Sequence, residues 1–160
     1  MDQALEWRIP SNQGWNEVAF RLIRHHRSDG LFEFAVTMTG LFWPRNELLM
    51  KPTQYGAPVD DFVVSLPSVM LSHKQCEELI GEFDRWLESY GAFDVTLTSE
   101  EVPGQLLWLE VEPEGKGILD KYHPALTIRY YTGRIDLEIG YFIDQSCIRI
   151  ARDSLASLLD

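Results

Sequence analysis

The chain has 160 residues, 45% of them apolar and 24% charged, proportions that exclude a largely disordered or fibrous protein. Twenty-five acids against fourteen Lys and Arg leave a net charge of −11, which argues against a nucleic-acid binder, because phosphate backbones call for clustered bases. The two cysteines, Cys76 and Cys147, lie far apart and make no disulfide scaffold.

The opening, Met1-Asp2-Gln3-Ala4-Leu5-Glu6, lacks the basic and then apolar stretches of a signal peptide. Residues 15–25 alternate apolar and polar positions, with Trp15, Val18, Phe20 and Leu22 against Glu17, Arg21 and Arg24. A second alternating run carries Phe32, Phe34, Val36 and Met38. Asp29-Gly30 between the two predicts a tight antiparallel hairpin. From Leu41 to Pro58 the chain holds Pro44, Pro52, Gly56 and Pro58 among aromatics, the composition of an irregular connection. Phe62–Leu66 reads as a short strand ended by Pro67. The longest mostly apolar stretch, Phe62 to Leu71, is interrupted by Ser65, Pro67 and Ser68 and is too short to span a bilayer.

The strongest local signal is a helix over about 73–90. Ser72 and Gln75 have the spacing of a capping box, and Cys76, Leu79, Ile80, Phe83, Trp86, Leu87 and Tyr90 recur on one helical face. Glu77, Glu78, Glu82, Asp84 and Glu88 occupy the other face, and Gly91 suits the turn beyond it. Four strand-like runs follow, Phe93–Thr98, Leu106–Glu112, Ala125–Tyr131 and Arg134–Phe142, the last two joined at Thr132-Gly133. Ser154 to Leu159 has the spacing of a short C-terminal helix. The predicted fold class is α+β, mainly antiparallel β: about seven strands in a sandwich or roll, one principal amphipathic helix and a short C-terminal one, in a single domain over 1–160.

The acidic excess is concentrated. Residues 77–114 hold eleven acids and one base, Arg85, and so carry −10 of the −11. Within the strand Leu106–Glu112, Leu107, Leu109 and Val111 share one face, while Trp108, Glu110 and Glu112 share the other. Glu114 continues that parity, Glu100 and Glu101 lie in the preceding loop, and Asp136 and Glu138 share a face of the last strand. Solvated faces account for the helix acids, but a row of like charges beside a tryptophan is a surface for steering a basic partner. The partner-binding candidates are therefore Glu100, Glu101, Trp108, Glu110, Glu112, Glu114, Asp136 and Glu138.

Catalytic and metal chemistry is sparsely signalled. His25 and His26 are adjacent and face opposite ways along a strand, so they are poor co-ligands. His73 and Cys76 are three apart, with no second pair to complete a metal site, and Cys76 falls on the apolar face. His123 precedes Pro124 in a turn. No nucleophile elbow, phosphate loop, dinucleotide fingerprint or HExxH motif is present, so no catalytic residue, metal or cofactor is assigned. Trp7, Trp43 and Trp108 are left as candidate exposed aromatics.

The pattern Phe62–Leu66, the helix ending Phe83-Asp84-Arg85-Trp86-Leu87, Leu126-Thr127-Ile128, Tyr141 to Cys147 and Leu155…Leu158-Leu159 resembles the WapI-like bacterial immunity proteins of polymorphic or contact-dependent toxin systems, over about residues 60–160. The resemblance implies a small cytoplasmic binder that occludes a cognate toxin and has no catalytic residues to carry over. With the acidic surface, it leads to an expectation: the chain is not an enzyme but an immunity protein of bacterial competition. It would neutralise a basic, nucleic-acid-targeting toxin by protein–protein interaction, with neither nucleic acid nor membrane as partner. The alternative is a small-ligand-binding or enzymatic domain of an uncharacterised family, which a deep pocket lined by Trp43, Tyr55 or His123 favours.

Overall fold

The computed structural model describes residues 5–12, 16–42, 60–89, 91–98, 106–112 and 124–160, and alternation of apolar and polar side chains drives most of these described residues into strands. The described elements run β1 (Glu6–Pro10), β2 (Glu17–His26), β3 (Leu31–Phe42), β4 (Asp60–Ser72), α1 (His73–Ser89), β5 (Phe93–Thr98), β6 (Leu106–Val111), β7 (Ala125–Tyr131), β8 (Asp136–Phe142) and α2 (Gln145–Leu159). They form two four-stranded antiparallel sheets, sheet A in the order β1-β2-β3-β4 and sheet B in the order β5-β6-β7-β8, so each sheet is a meander and α1 carries the chain from one to the other. The architecture is α+β and mostly strand, as the patterning predicts. Neither described helix is long and apolar enough to cross a membrane.

The β2–β3 turn works as expected, because Gly30 takes φ +64°, a value that side chains resist. The inner face of sheet A then presents Phe20, Phe34, Val36 and Met38 to the core, and sheet B presents Leu107, Leu109, Val111, Leu126 and Ile128. The capping box at α1 closes both ways: Gln75 N–H donates to Ser72 Oγ at 3.1 Å and Ser72 N–H donates to Gln75 Oε1 at 2.8 Å. Cys76, Leu79, Phe83 and Trp86 fill the buried face of α1.

Three local expectations needed correction. Pro67 does not end β4, which continues to Ser72: the β3–β4 register shifts between Phe34 and Val36, so Pro67 falls within a bulge on a strand at the end of the sheet, where no ladder N–H is required of it. α2 begins not at Ser154 but at Gln145, capped by Asp144, whose carboxylate accepts the Cys147 N–H at 3.1 Å. Its buried face starts at Cys147 and Ile148 and continues through Ala151 to Leu155 and Leu158, a periodicity blurred in the sequence by the exposed apolar Ile150. Trp7 is no exposed aromatic: it is fully buried in β1 and stacks on Phe20 at 4.0 Å between ring centroids.

The halves meet at a few defined points. The buried Tyr141 hydroxyl donates to the Ile9 carbonyl, and Asn12 N–H donates to the Phe142 carbonyl at 3.0 Å, tying β8 to the end of β1. Arg152 on α2 reaches Asp84 on α1 at 2.9 Å, and Ser154 Oγ accepts the Arg8 N–H at 3.3 Å. The helices and the inner sheet faces thus close one hydrophobic core, and the outer face of sheet B is partly exposed.

Candidate functional site

Strand parity and register together build that outer face. Asp94, Glu110, Thr127 and Gly140 stand in one cross-strand row, and Thr96, Trp108, Arg129 and Glu138 in the next. Leu106, Tyr131 and Asp136 form a third. Glu112 follows β6 and is fixed three times over. Its carboxylate accepts the Ala125 N–H at 3.2 Å, its own N–H donates to the Ala125 carbonyl at 3.0 Å, and its carbonyl accepts the Trp86 indole N–H at 3.0 Å.

At the end of β7 and β8 lies an open cleft of about 300 Å³, bounded by Glu112, Ala125, Thr127, Glu138, Gly140, Tyr141 and Phe142. Gly140 leaves the room: a methyl group there would meet only the Leu126 carbonyl and Thr127 Oγ1, each at 3.6 Å. Two carboxylates give the cleft its chemistry. That of Glu112 is partly engaged by the Ala125 N–H. That of Glu138 is exposed and, among the described residues, has no hydrogen bond or ion pair, although Arg129 stands directly across from it. The guanidinium of Arg129 instead pairs two-pronged with Asp136, Nε to Oδ1 at 2.9 Å and Nη2 to Oδ2 at 2.7 Å. The hydrogen bond from Arg129 holds the Asp136 carboxyl below its usual range.

The structure brings Trp108, Glu110, Glu112, Asp136 and Glu138 onto this single face, whereas Glu100, Glu101 and Glu114 lie outside the described residues, as do Trp43, Tyr55 and His123. Trp108 and Glu110 are half-buried there. Sequence reasoning missed Arg129, Thr127, Gly140 and Phe142. The alternation of buried Leu126, Ile128 and Tyr130 in β7 already turned Thr127 and Arg129 outward, but only pairing shows which acids they stand beside. The expected acidic row is therefore interrupted by a cation at its centre.

The groups that most resemble catalytic nucleophiles are buried in the core. Burial, with Glu77 adding to it, pushes the Cys76 thiol up to about 12, and burial pushes Cys147 up to about 11. Burial likewise raises the Tyr141 phenol. Among the described residues no group of three His, Cys, Asp or Glu side chains is placed to hold a metal ion.

A second charged surface lies on the β2–β3 hairpin. Arg21, Arg24 and Arg27 are exposed and form no ion pair among the described residues. The His25 ring stacks on Phe32 at 4.3 Å, and His26 faces Glu33 at 3.3 Å.

No protein-family model matches the chain, and no curated protein does. Two solved plant structures are similar to it. WHY1 from Arabidopsis thaliana is 10% identical over 99% of this chain and 85% of its own, with a TM-score of 0.48. The plant transcriptional regulator PBF-2 is 12% identical over 99% of this chain and 82% of its own, with a TM-score of 0.47. On this finding the expected toxin inhibitor of bacterial competition is withdrawn, with its basic toxin partner and its exclusion of nucleic acid, since the structures that match include a regulator of transcription and no immunity protein. At this level of similarity the likeness assigns no ligand.

Proposed function

We propose that the chain is a cytoplasmic, single-domain binding protein without catalytic activity, and that its cleft on sheet B takes the ammonium or guanidinium group of a small organic cation. The observation that carries this reading is the exposed Glu138 carboxylate on the lining of the cleft, which Glu112 also lines. A cation entering there gains charge-assisted hydrogen bonds to a carboxylate. The cysteines, free and buried, suit a reducing compartment. Among the positions that carry the WapI-like resemblance, Leu126, Ile128, Leu155 and Leu158 are core residues, which name no ligand.

Titration calorimetry with spermidine tests this reading. Saturable binding is expected, weakened about tenfold by Glu138→Gln, the usual worth of one hydrogen bond to a charged group. No heat with the intact protein, or unchanged affinity in the variant, overturns it.

The free Arg21, Arg24 and Arg27 favour a second reading, single-stranded nucleic acid on the β2–β3 hairpin, with His25 as a stacking ring. At about 0.15 M salt the acidic remainder is screened beyond about 8 Å, so the hairpin acts locally. A fluorescent oligothymidylate that binds at this salt, and is released by the paired change Arg21→Gln and Arg24→Gln, supports it; an unchanged signal removes it.

A further inference from the structure

The chain holds a single Asp-Gly dipeptide, Asp29-Gly30, and no Asn-Gly. It lies in the turn of residues 27–30 that joins β2 to β3, just inside the last cross-strand pair, His26 and Leu31. Asp29 is exposed, and neither its carboxylate nor the Gly30 N–H has a hydrogen-bond partner among the described residues. A Cβ on Gly30 meets nothing within 4 Å, so the approach to its nitrogen is uncrowded. Other described aspartates are held. Asp136 is paired with Arg129, and Asp144 accepts the Cys147 N–H. Asp84 and Asp153 lie inside helices, where the ladder engages the next N–H.

We propose that Asp29-Gly30 is a self-modification site, where the main chain slowly isomerises to an isoaspartyl linkage. The Gly30 nitrogen attacks the side-chain carboxyl carbon of Asp29. A five-membered succinimide closes as the carboxyl hydroxyl and the amide proton leave together as water. Water then opens the ring. Addition at the main-chain carbonyl of Asp29 breaks its bond to the Gly30 nitrogen, and the chain thereafter runs through the side-chain carboxyl. Addition at the other carbonyl restores aspartate. One water leaves and one returns, so the mass is unchanged and no oxidant or cofactor enters. The product lengthens the main chain by one methylene within the turn that sets the β2–β3 register. The Gly30 carbonyl accepts the N–H of His73, the first residue of α1, at 2.9 Å. Displacing that carbonyl uncouples the hairpin, with its exposed Arg24 and Arg27, from the start of α1.

Prolonged incubation of the intact protein at neutral pH, followed by tryptic peptide mapping, tests the proposal. A second form of the peptide beginning at Ser28 is expected, equal in mass and resistant to cleavage before residue 29. It should accept one methyl group from S-adenosylmethionine through isoaspartyl methyltransferase. Its rate of formation in the folded protein is expected within about tenfold of that in the urea-unfolded chain, because the turn places no barrier before the attack. Asp29→Glu, which keeps the charge but needs a six-membered ring, is expected to lose the product. Absence of isoaspartate at residue 29, its appearance in urea alone, or earlier isomerisation at Asp144 or Asp153 overturns the proposal. Amide hydrogen exchange of the modified chain reads the consequence. The His73 N–H is expected to exchange faster than in the parent, and unchanged protection refutes the coupling to α1.

Discussion

Gly140 matters to the cleft because of what it lacks. On a strand flanked by Ile139 and Tyr141, any larger residue at this position projects from the outer face over Thr127. A Cβ there makes only ordinary contacts at 3.6 Å, so Gly140→Ala is expected to fold and to gain about 0.5–1 kcal/mol by relieving the flexibility of a glycine inside a strand. The same methyl narrows the cleft, so affinity for spermidine is expected to fall while the urea midpoint rises. A parallel fall of both quantities refutes this account of the residue. Opposite movements of stability and binding are the signature of a position kept small for the ligand rather than for the fold. Parity made the outward direction of residue 140 readable in the sequence, but the cavity it opens depends on Thr127 and Phe142, brought there by pairing.

Among the elements, α2 shows most clearly how a cap determines a helix. Asp144 accepts hydrogen bonds from the Ser146 hydroxyl and the Cys147 N–H, and these outweigh burial and hold its carboxyl below the usual range. A depressed carboxyl contributes stability that is present above about pH 4 and lost as the pH falls through its folded value. Asp144→Ala is therefore expected to cost about 1 kcal/mol near neutrality, with Asp144→Asn keeping most of the cap. The difference between the parent and the alanine variant should shrink as the pH falls below about 4 in denaturant titrations. A constant difference across that range contradicts the assignment. Apolar spacing alone starts this helix at Ser154, and only the packed structure extends α2 back to Asp144. The 15-residue helix Gln145–Leu159 buries Cys147, Ile148, Ala151, Leu155 and Leu158 and packs against α1 and β1, contacts that no local propensity encodes. β4 teaches the converse: Pro67 forbids a ladder bond, but a bulge on a terminal strand removes the need for one.

For the molecule as a whole, the distribution of charge dominates. Eleven acids and one base in residues 77–114 repel one another, and the surface pairs His73–Glu77, Lys74–Glu78 and Arg85–Glu82 are too exposed to offset this. Screening relieves repulsion more than it weakens those few pairs. The thermal midpoint is therefore expected to rise by about 2–4 °C between low and physiological ionic strength, followed by circular dichroism. A midpoint that falls with salt places the attractive pairs above the repulsion and reverses this balance.

The sequence by itself determined the elements that answer to local rules. Period-two alternation set the strands and their faces, Asp29-Gly30 set a turn, and Ser72 with Gln75 set the start of α1, each through interactions within a few residues. It also placed Trp108, Glu110 and Glu112 on one face and Asp136 and Glu138 on one face, because parity is a property of a single strand. Tertiary structure alone decided that these two faces are the same face, with Arg129 between them and Gly140 opening a cleft beside Glu138. It also decided that Trp7 lies in the core and that Arg129 turns to Asp136 rather than to Glu138. The physical reason is that strand pairing and side-chain reach join residues distant in the chain, and no periodicity within one strand specifies its neighbours.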